Sequence, residues 1–125
     1  MTSTHVDIDE QIDALVGDWY TLAAAGEALG VTASRVKQWV KEGKLLAVYR
    51  RTGGGPQVPA GFIADREIIK GLAGTLTLLQ DAGFDTAETL RWLFTEDDSL
   101  PGSPVQAMRE NRGTEIRRRA QALAL

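Results

Sequence analysis

The stretch TLAAAGEALGVTASRVKQWVKEGKL, residues 21–45, constrains this chain more than any other. It holds two short segments of helical periodicity with Gly30-Val31 between them. Two helices meeting across a tight corner need a residue that turns without a side-chain clash. Gly30 supplies that corner, and Val31 is the apolar plug just after it. Ala24 and Ala25 are small enough for the helices to approach. Thr21 caps Leu22–Leu29, Thr32 caps Ala33–Glu42, and Gly30 and Gly43 stop them. Leu22, Leu29, Val36, Trp39 and Val40 form the internal face. That leaves Ala33, Ser34, Arg35, Lys37, Gln38 and Lys41 pointing outward, donors and small groups of the kind that read a major groove. The first turn adds the Thr32 and Ser34 hydroxyls and free backbone N–H groups, suited to phosphate. The spacing of Trp39 with Val36 and Val40 makes it a packing residue rather than a stacking platform.

The next segment reads as a hairpin. Leu45–Arg50 is rich in β-formers, Thr52-Gly53-Gly54-Gly55-Pro56 is a turn cluster, and Val58–Ile63 returns as a second strand. Pro59 places that second strand at an edge. Lys44, Arg50 and Arg51 are expected to meet a nucleic-acid backbone, with Arg50 and Arg51 at the tip. The three glycines let the tip come close to a ligand. They are not a P-loop, because no Gly-Lys-Ser/Thr follows.

Charge supports this reading through its distribution. The formal net charge is −3. Residues 1–30 hold six acids and no Lys or Arg, whereas residues 31–64 hold six Lys/Arg against Glu42 alone. Residues 71–108 are acidic again, and residues 109–125 carry five Arg against two Glu. A basic stripe on an acidic body attracts a polyanion locally and repels it elsewhere.

Outside this region the chain reads as helical. Ile8, Ile12, Leu15 and Val16 mark a short helix closed by Gly17. Leu72–Ala82 is closed by Gly83, and Asp85 to Glu88 resembles a capping box opening a helix through Phe94. Thr95–Gly102 is an acidic loop. Ser103-Pro104 starts a last helical stretch, interrupted near Gly113. Trp92 is expected in the core, and Trp19 and Tyr20 under the first helix of the pair. Ile116, Ala120, Leu123 and Ala124 form an apolar stripe. Arg109, Arg112, Arg117, Arg118 and Arg119 either add phosphate contacts or pair with Glu96-Asp97-Asp98. The expected organisation is a disordered tail over 1–7, a winged helix-turn-helix domain over 8–70 and a helical domain over 71–125. The fold class is mainly α, with a two-stranded wing.

Residues 21–48 resemble the helix-turn-helix of excisionase-like and MerR-like winged proteins, in which the recognition helix ends in Gly, then Lys/Arg-Leu and a wing. Here that is Gly43-Lys44-Leu45. Further motifs are Pro59-Ala60-Gly61-Phe62, Lys70-Gly71-Leu72, Leu90-Arg91-Trp92-Leu93-Phe94-Thr95, Leu100-Pro101-Gly102-Ser103-Pro104 and Arg118-Arg119-Ala120-Gln121-Ala122. Through them the chain resembles an actinobacterial family of winged helix-turn-helix DNA-binding proteins. The resemblance implies double-stranded DNA as partner and no catalysis, in transcriptional regulation or nucleoid association. It links mycobacterial members to serine/threonine-kinase signalling, which makes Thr2, Ser3 and Thr4 candidate phosphorylation sites. Residues 84–125 more loosely resemble the toxin-binding domain of certain antitoxins, so a protein-docking role is the alternative.

Composition excludes several classes. There is no cysteine, so disulfides, thiolate zinc sites and cysteine nucleophiles are impossible, and a reducing cytoplasm is expected. The single histidine, His5, lies in the tail, so a histidine triad or metal site is not expected. Asp97-Asp98 reads as solvated loop rather than a cation site. No apolar run reaches the roughly 18 residues of a membrane span. The first residues carry no basic or apolar region, so no secretory signal is expected. No enzyme, cofactor or metal is expected.

Overall fold

The computed structural model describes residues 8–123, so Thr2, Ser3, Thr4, His5 and Ala124 lie outside the described residues. Helix α1 is Glu10–Val16, capped by the Asp9 carboxylate, which accepts the Ile12 N–H at 2.9 Å. Strand β1, Trp19–Thr21, follows. Then come α2 (Leu22–Leu29), α3 (Ala33–Lys41), β2 (Val48–Tyr49) and β3 (Pro56–Pro59). A 3₁₀ turn at Ala60–Phe62 leads into β4 (Ile63–Ala64) and β5 (Glu67–Ile68). The remainder is α4 (Leu72–Asp81), α5 (Thr86–Phe94), α6 (Pro104–Arg109) and α7 (Gly113–Leu123). The expected fold class holds: mostly helix, with a winged helix-turn-helix and a C-terminal helical part.

The helix boundaries follow local chemistry. Thr21, Thr32, Asp85 and Ser103 each accept a backbone N–H from the first turn of α2, α3, α5 and α6. Asp85 and Glu88 complete a reciprocal capping box. Helices α2, α3 and α4 stop alike, with Gly30, Gly43 and Gly83 left-handed and the following N–H bonded back to Gly26, Trp39 and Leu79.

The sheet departs from expectation. It has three antiparallel strands in the order β1-β3-β2, so β3 is central rather than an edge. The register pairs Trp19 with Pro59, Thr21 with Gln57 and Val48 with Gln57. Proline is tolerated because Pro56 and Pro59 are the first and last residues of β3. Ala60 donates its N–H to the Asp18 carbonyl at 2.9 Å. Alternation therefore turns the Pro59 nitrogen the other way, past the end of β2, where no bond is needed. Trp19 and Tyr20 are strand residues, and the expected strand Val58–Ile63 is broken by the 3₁₀ turn. Beyond it, β4 and β5 pair Ile63 with Ile68 and Ala64 with Glu67 as a separate hairpin.

One continuous apolar core runs through both halves. Ala25, Val36, Leu45, Val48, Val58 and Phe62 are buried in the winged half, and Leu72, Leu79, Leu90, Leu93, Ile116 and Ala120 in the helical half. Helix α1 brings Ile12 into this core and packs against α5. The Phe62 and Phe94 rings lie 5.6 Å apart across the halves. Arg109 of α6 donates to the Gly61 and Ile63 carbonyls at 3.0 and 2.9 Å. Among the described residues, no helix is long and apolar enough to cross a membrane.

Candidate nucleic-acid interface

Helix α3 has nine residues and is about 14 Å long at 1.5 Å per residue. Val36 is fully buried, with Trp39 and Val40 half-buried beside it. The rest of the circumference is open: Ala33, Ser34, Arg35, Lys37, Gln38 and Lys41 are all exposed. At about 100° per residue, Lys37, Lys41, Ser34 and Gln38 fall within an arc of roughly 100°, and Arg35 flanks it beside Trp39. The side chains of Ser34, Arg35, Lys37 and Lys41 make no hydrogen bond or ion pair among the described residues. An unpartnered cationic face on a short exposed helix can meet an anion without first breaking an internal contact.

The helix is held by its turn. The Gly26 carbonyl accepts the Val31 N–H at 2.9 Å, and a Cβ on Gly26 would sit 2.6 Å from the Val31 carbonyl oxygen. Only glycine fits there. Sequence reasoning placed the close approach at Ala24 and Ala25 and missed Gly26, whose available signal is its place in the same small-residue run of α2.

Other site residues are restrained. The Thr32 hydroxyl caps α3 by accepting the Arg35 N–H at 3.1 Å. Gln38 donates to the Glu42 carboxylate at 2.9 Å, and Lys44 lies 3.3 Å from the same group. The Gln38 and Lys44 hydrogen bonds hold the Glu42 carboxyl below its ordinary range, so it remains an anion. Glu42 thus occupies two of the expected contact residues and is a residue that sequence reasoning left without a role.

Arg50 is a correction. Expected at the tip and aimed at a nucleic-acid backbone, it points into the molecule. Its guanidinium grips Asp13 of α1 with two bonds of 2.8 and 2.9 Å and lies 5.4 Å from the centre of the Trp19 ring. The hydrogen bond to Asp13 raises its pKa above the ordinary arginine value. It also reaches the Gln57 side-chain oxygen at 3.4 Å, and Gln57 donates onward to the Gly53 carbonyl at 3.0 Å. Arg50 therefore braces the loop between β2 and β3 from within. Arg51, on the exposed loop, has no partner among the described residues.

The C-terminal cations divide as well. Arg112 and Arg119 clasp Glu115 at 2.6 and 2.8 Å, and Arg119 also approaches Asp97 at 3.6 Å and the Ser99 hydroxyl at 2.8 Å. Arg109 is spent on backbone carbonyls, leaving Arg117 and Arg118 exposed. Trp92 is half-buried rather than core. It lines a groove of about 450 Å³ with Phe84 and Leu100. No group of three metal-ligating side chains occurs among the described residues.

Two short helices set across a glycine turn, followed by a hairpin on a small sheet, define a winged helix-turn-helix protein with a helical extension. Comparison with known proteins agrees. The family described as "DNA-binding protein Rv2175c, wHTH domain" matches residues 7–63, and "Rv2175c C-terminal domain of unknown function" matches residues 69–124. The DNA-binding protein Rv2175c of Mycobacterium tuberculosis (strain ATCC 25618 / H37Rv) is 41% identical over 118 residues, covering 84% of this chain and 80% of that protein. The NMR structure of Rv2175c matches with a TM-score of 0.78 at 34% identity, covering 99% of this chain and 91% of that one. The chain belongs to the Rv2175c family, in line with the actinobacterial resemblance.

Proposed function

We propose that this protein binds double-stranded DNA by laying α3 in the major groove, as a transcriptional regulator or a nucleoid-associated factor. The observation that carries this reading is the open, unpartnered cationic face of α3, in a family whose named relative is a DNA-binding protein. A major groove about 12 Å wide accepts a helix of this size. Ser34, Lys37, Gln38 and Lys41 face the groove, and Arg35, on the flank, takes a backbone phosphate. The capped first turn, with Thr32, presents N–H groups to a second phosphate. Arg51 from the hairpin loop and Lys44 from just past the end of α3 add sequence-tolerant contacts, whereas Arg50 serves the fold.

Titration of fluorescent duplex DNA over a range of salt tests this. Each lost phosphate contact makes the slope of log affinity against log salt shallower by about 0.9. The Arg35→Ala/Lys37→Ala double variant is expected to stay folded, bind far more weakly and show a slope reduced by about 0.9, for the one phosphate contact assigned to Arg35. Unchanged binding would reject α3 as the reading helix.

A second reading, protein docking through residues 84–125, has one observation behind it: the apolar groove formed by Phe84, Trp92 and Leu100. Trp92→Ala would then weaken capture of a protein partner and leave duplex affinity intact. Retention of every partner by that variant counts against docking.

A further inference from the structure

We propose that Arg66, at the tip of the β4–β5 hairpin, is a second-wing contact to the DNA backbone beside the entry to α3. This deepens the DNA-binding reading and rests on it.

Three observations meet at this residue. The first is position. A Cβ on Gly30 would sit 2.8 Å from an Arg66 guanidinium nitrogen, so the Arg66 side chain lies directly over the turn between α2 and α3. That turn runs into Thr32, the cap of α3. The N-terminal end of a recognition helix points toward the bases, which brings the preceding turn alongside a phosphodiester chain. Hairpin β4–β5 packs beside α2, so this placement belongs to the fold.

The second is that the charge is unspent. Arg66 is exposed and forms no hydrogen bond or ion pair among the described residues. Asp65 and Glu67 flank it in sequence, and neither pairs with it. Arg50, Arg109, Arg112 and Arg119, by contrast, are all bound to partners within the molecule.

The third is backbone cost. Asp65 and Arg66 form the two-residue loop between paired Ala64 and Glu67, with φ of 53° and 65°. Such a turn favours glycine at these positions, because a side chain is strained at positive φ. Arginine here is a poor choice for folding and a good one for delivering a planar cation to phosphate. Gly30 then has a double role: it turns the chain, and its bare backbone leaves the space that the guanidinium fills.

The test uses the full chain and a fluorescent duplex. Arg66→Gly relieves the positive φ, so its melting temperature is expected to equal or exceed that of the wild type. Its duplex affinity should nevertheless fall severalfold, with the salt slope shallower by about 0.9, one phosphate contact. Arg66→Lys keeps the charge and should restore most of the slope. If the wild type binds and Arg66→Gly binds equally well with the same slope, the second-wing contact is wrong while the α3 reading stands. If Arg66→Lys stays folded but binds as weakly as Arg66→Gly in both affinity and slope, the phosphate role is likewise overturned. If the wild type shows no salt-dependent duplex binding, the DNA reading itself falls, and this inference with it.

Discussion

Arg50 shows how far a residue's neighbours in space decide its role. In sequence it is the first of two arginines before a glycine turn, the pattern of a DNA-touching tip. Its partner, Asp13, lies 37 positions away on α1, beyond the reach of any local pattern. Arg50→Ala is expected to lower stability by about 1–2 kcal/mol, the scale of a charge-assisted pair that is still partly solvated. Arg50→Lys should recover only part of it, since an ammonium cannot make the two-pronged contact. Urea unfolding measures both. Gly26→Ala is a sharper case, because its Cβ would collide with a backbone oxygen rather than a flexible side chain. A loss of about 1–3 kcal/mol is expected. A thermal melt equal to the wild type would show that the α2–α3 turn has more room than the structure allows it.

Among the elements, α3 was readable to within one residue because its signals are local: a threonine cap, an apolar stripe at helical period, and Gly43 beyond its end. Helix α5 was readable for the same reason, through its capping box. Strand β1 was missed because three residues carry no period of their own. The Trp19–Thr21 segment is a strand only because β3 lies beside it. The same pairing turned the expected edge into a centre. At the end of α3, Glu42 was legible as a lone acid in a basic segment, but its hold on Gln38 and Lys44 was not. Glu42→Gln should release Lys44 and remove a negative charge from the DNA-facing side. Duplex affinity is expected to rise a few-fold at low salt, and an unchanged affinity would place Glu42 outside the interface. In the C-terminal part, arginine partners lower the Glu115 pKa, and Ser99 hydrogen bonds lower that of Asp97. For carboxylates so lowered, the added stability is complete above their ordinary values of 4.5 and 3.8 and is lost as pH falls through the lowered ones. On their account stability is flat around neutrality and declines only in acid. Urea midpoints from about pH 7 to about pH 3 test this. Arg119→Ala should flatten the acid decline, although modestly, because these groups are exposed.

At the scale of the molecule, the sequence divides into a winged segment over 8–70 and a helical segment over 71–125, and the two family matches also fall on separate segments. The structure runs one core through both. Helix α1 opens the winged half yet packs on α5, and Phe62, Phe94 and Arg109 join the hairpins to α5 and α6. This was illegible beforehand because an apolar stripe states that a face is buried, not against what. A chain ending after Ile68 should therefore lose cooperative melting, its α1 face and Phe62 stripped of cover. Near-UV circular dichroism during heating would report this. A sharp, wild-type-like transition in the fragment would show that the helical half contributes no support.

The most direct test of the whole account is to follow backbone amide shifts of the full chain while a short duplex is added. DNA binding through α3 requires the largest shifts in Thr32–Lys41, at Arg51–Gly55 and around Gly30 and Arg66, with α5 and the groove beside Trp92 almost silent. Shifts concentrated on α5–α7, with α3 unmoved, would contradict it.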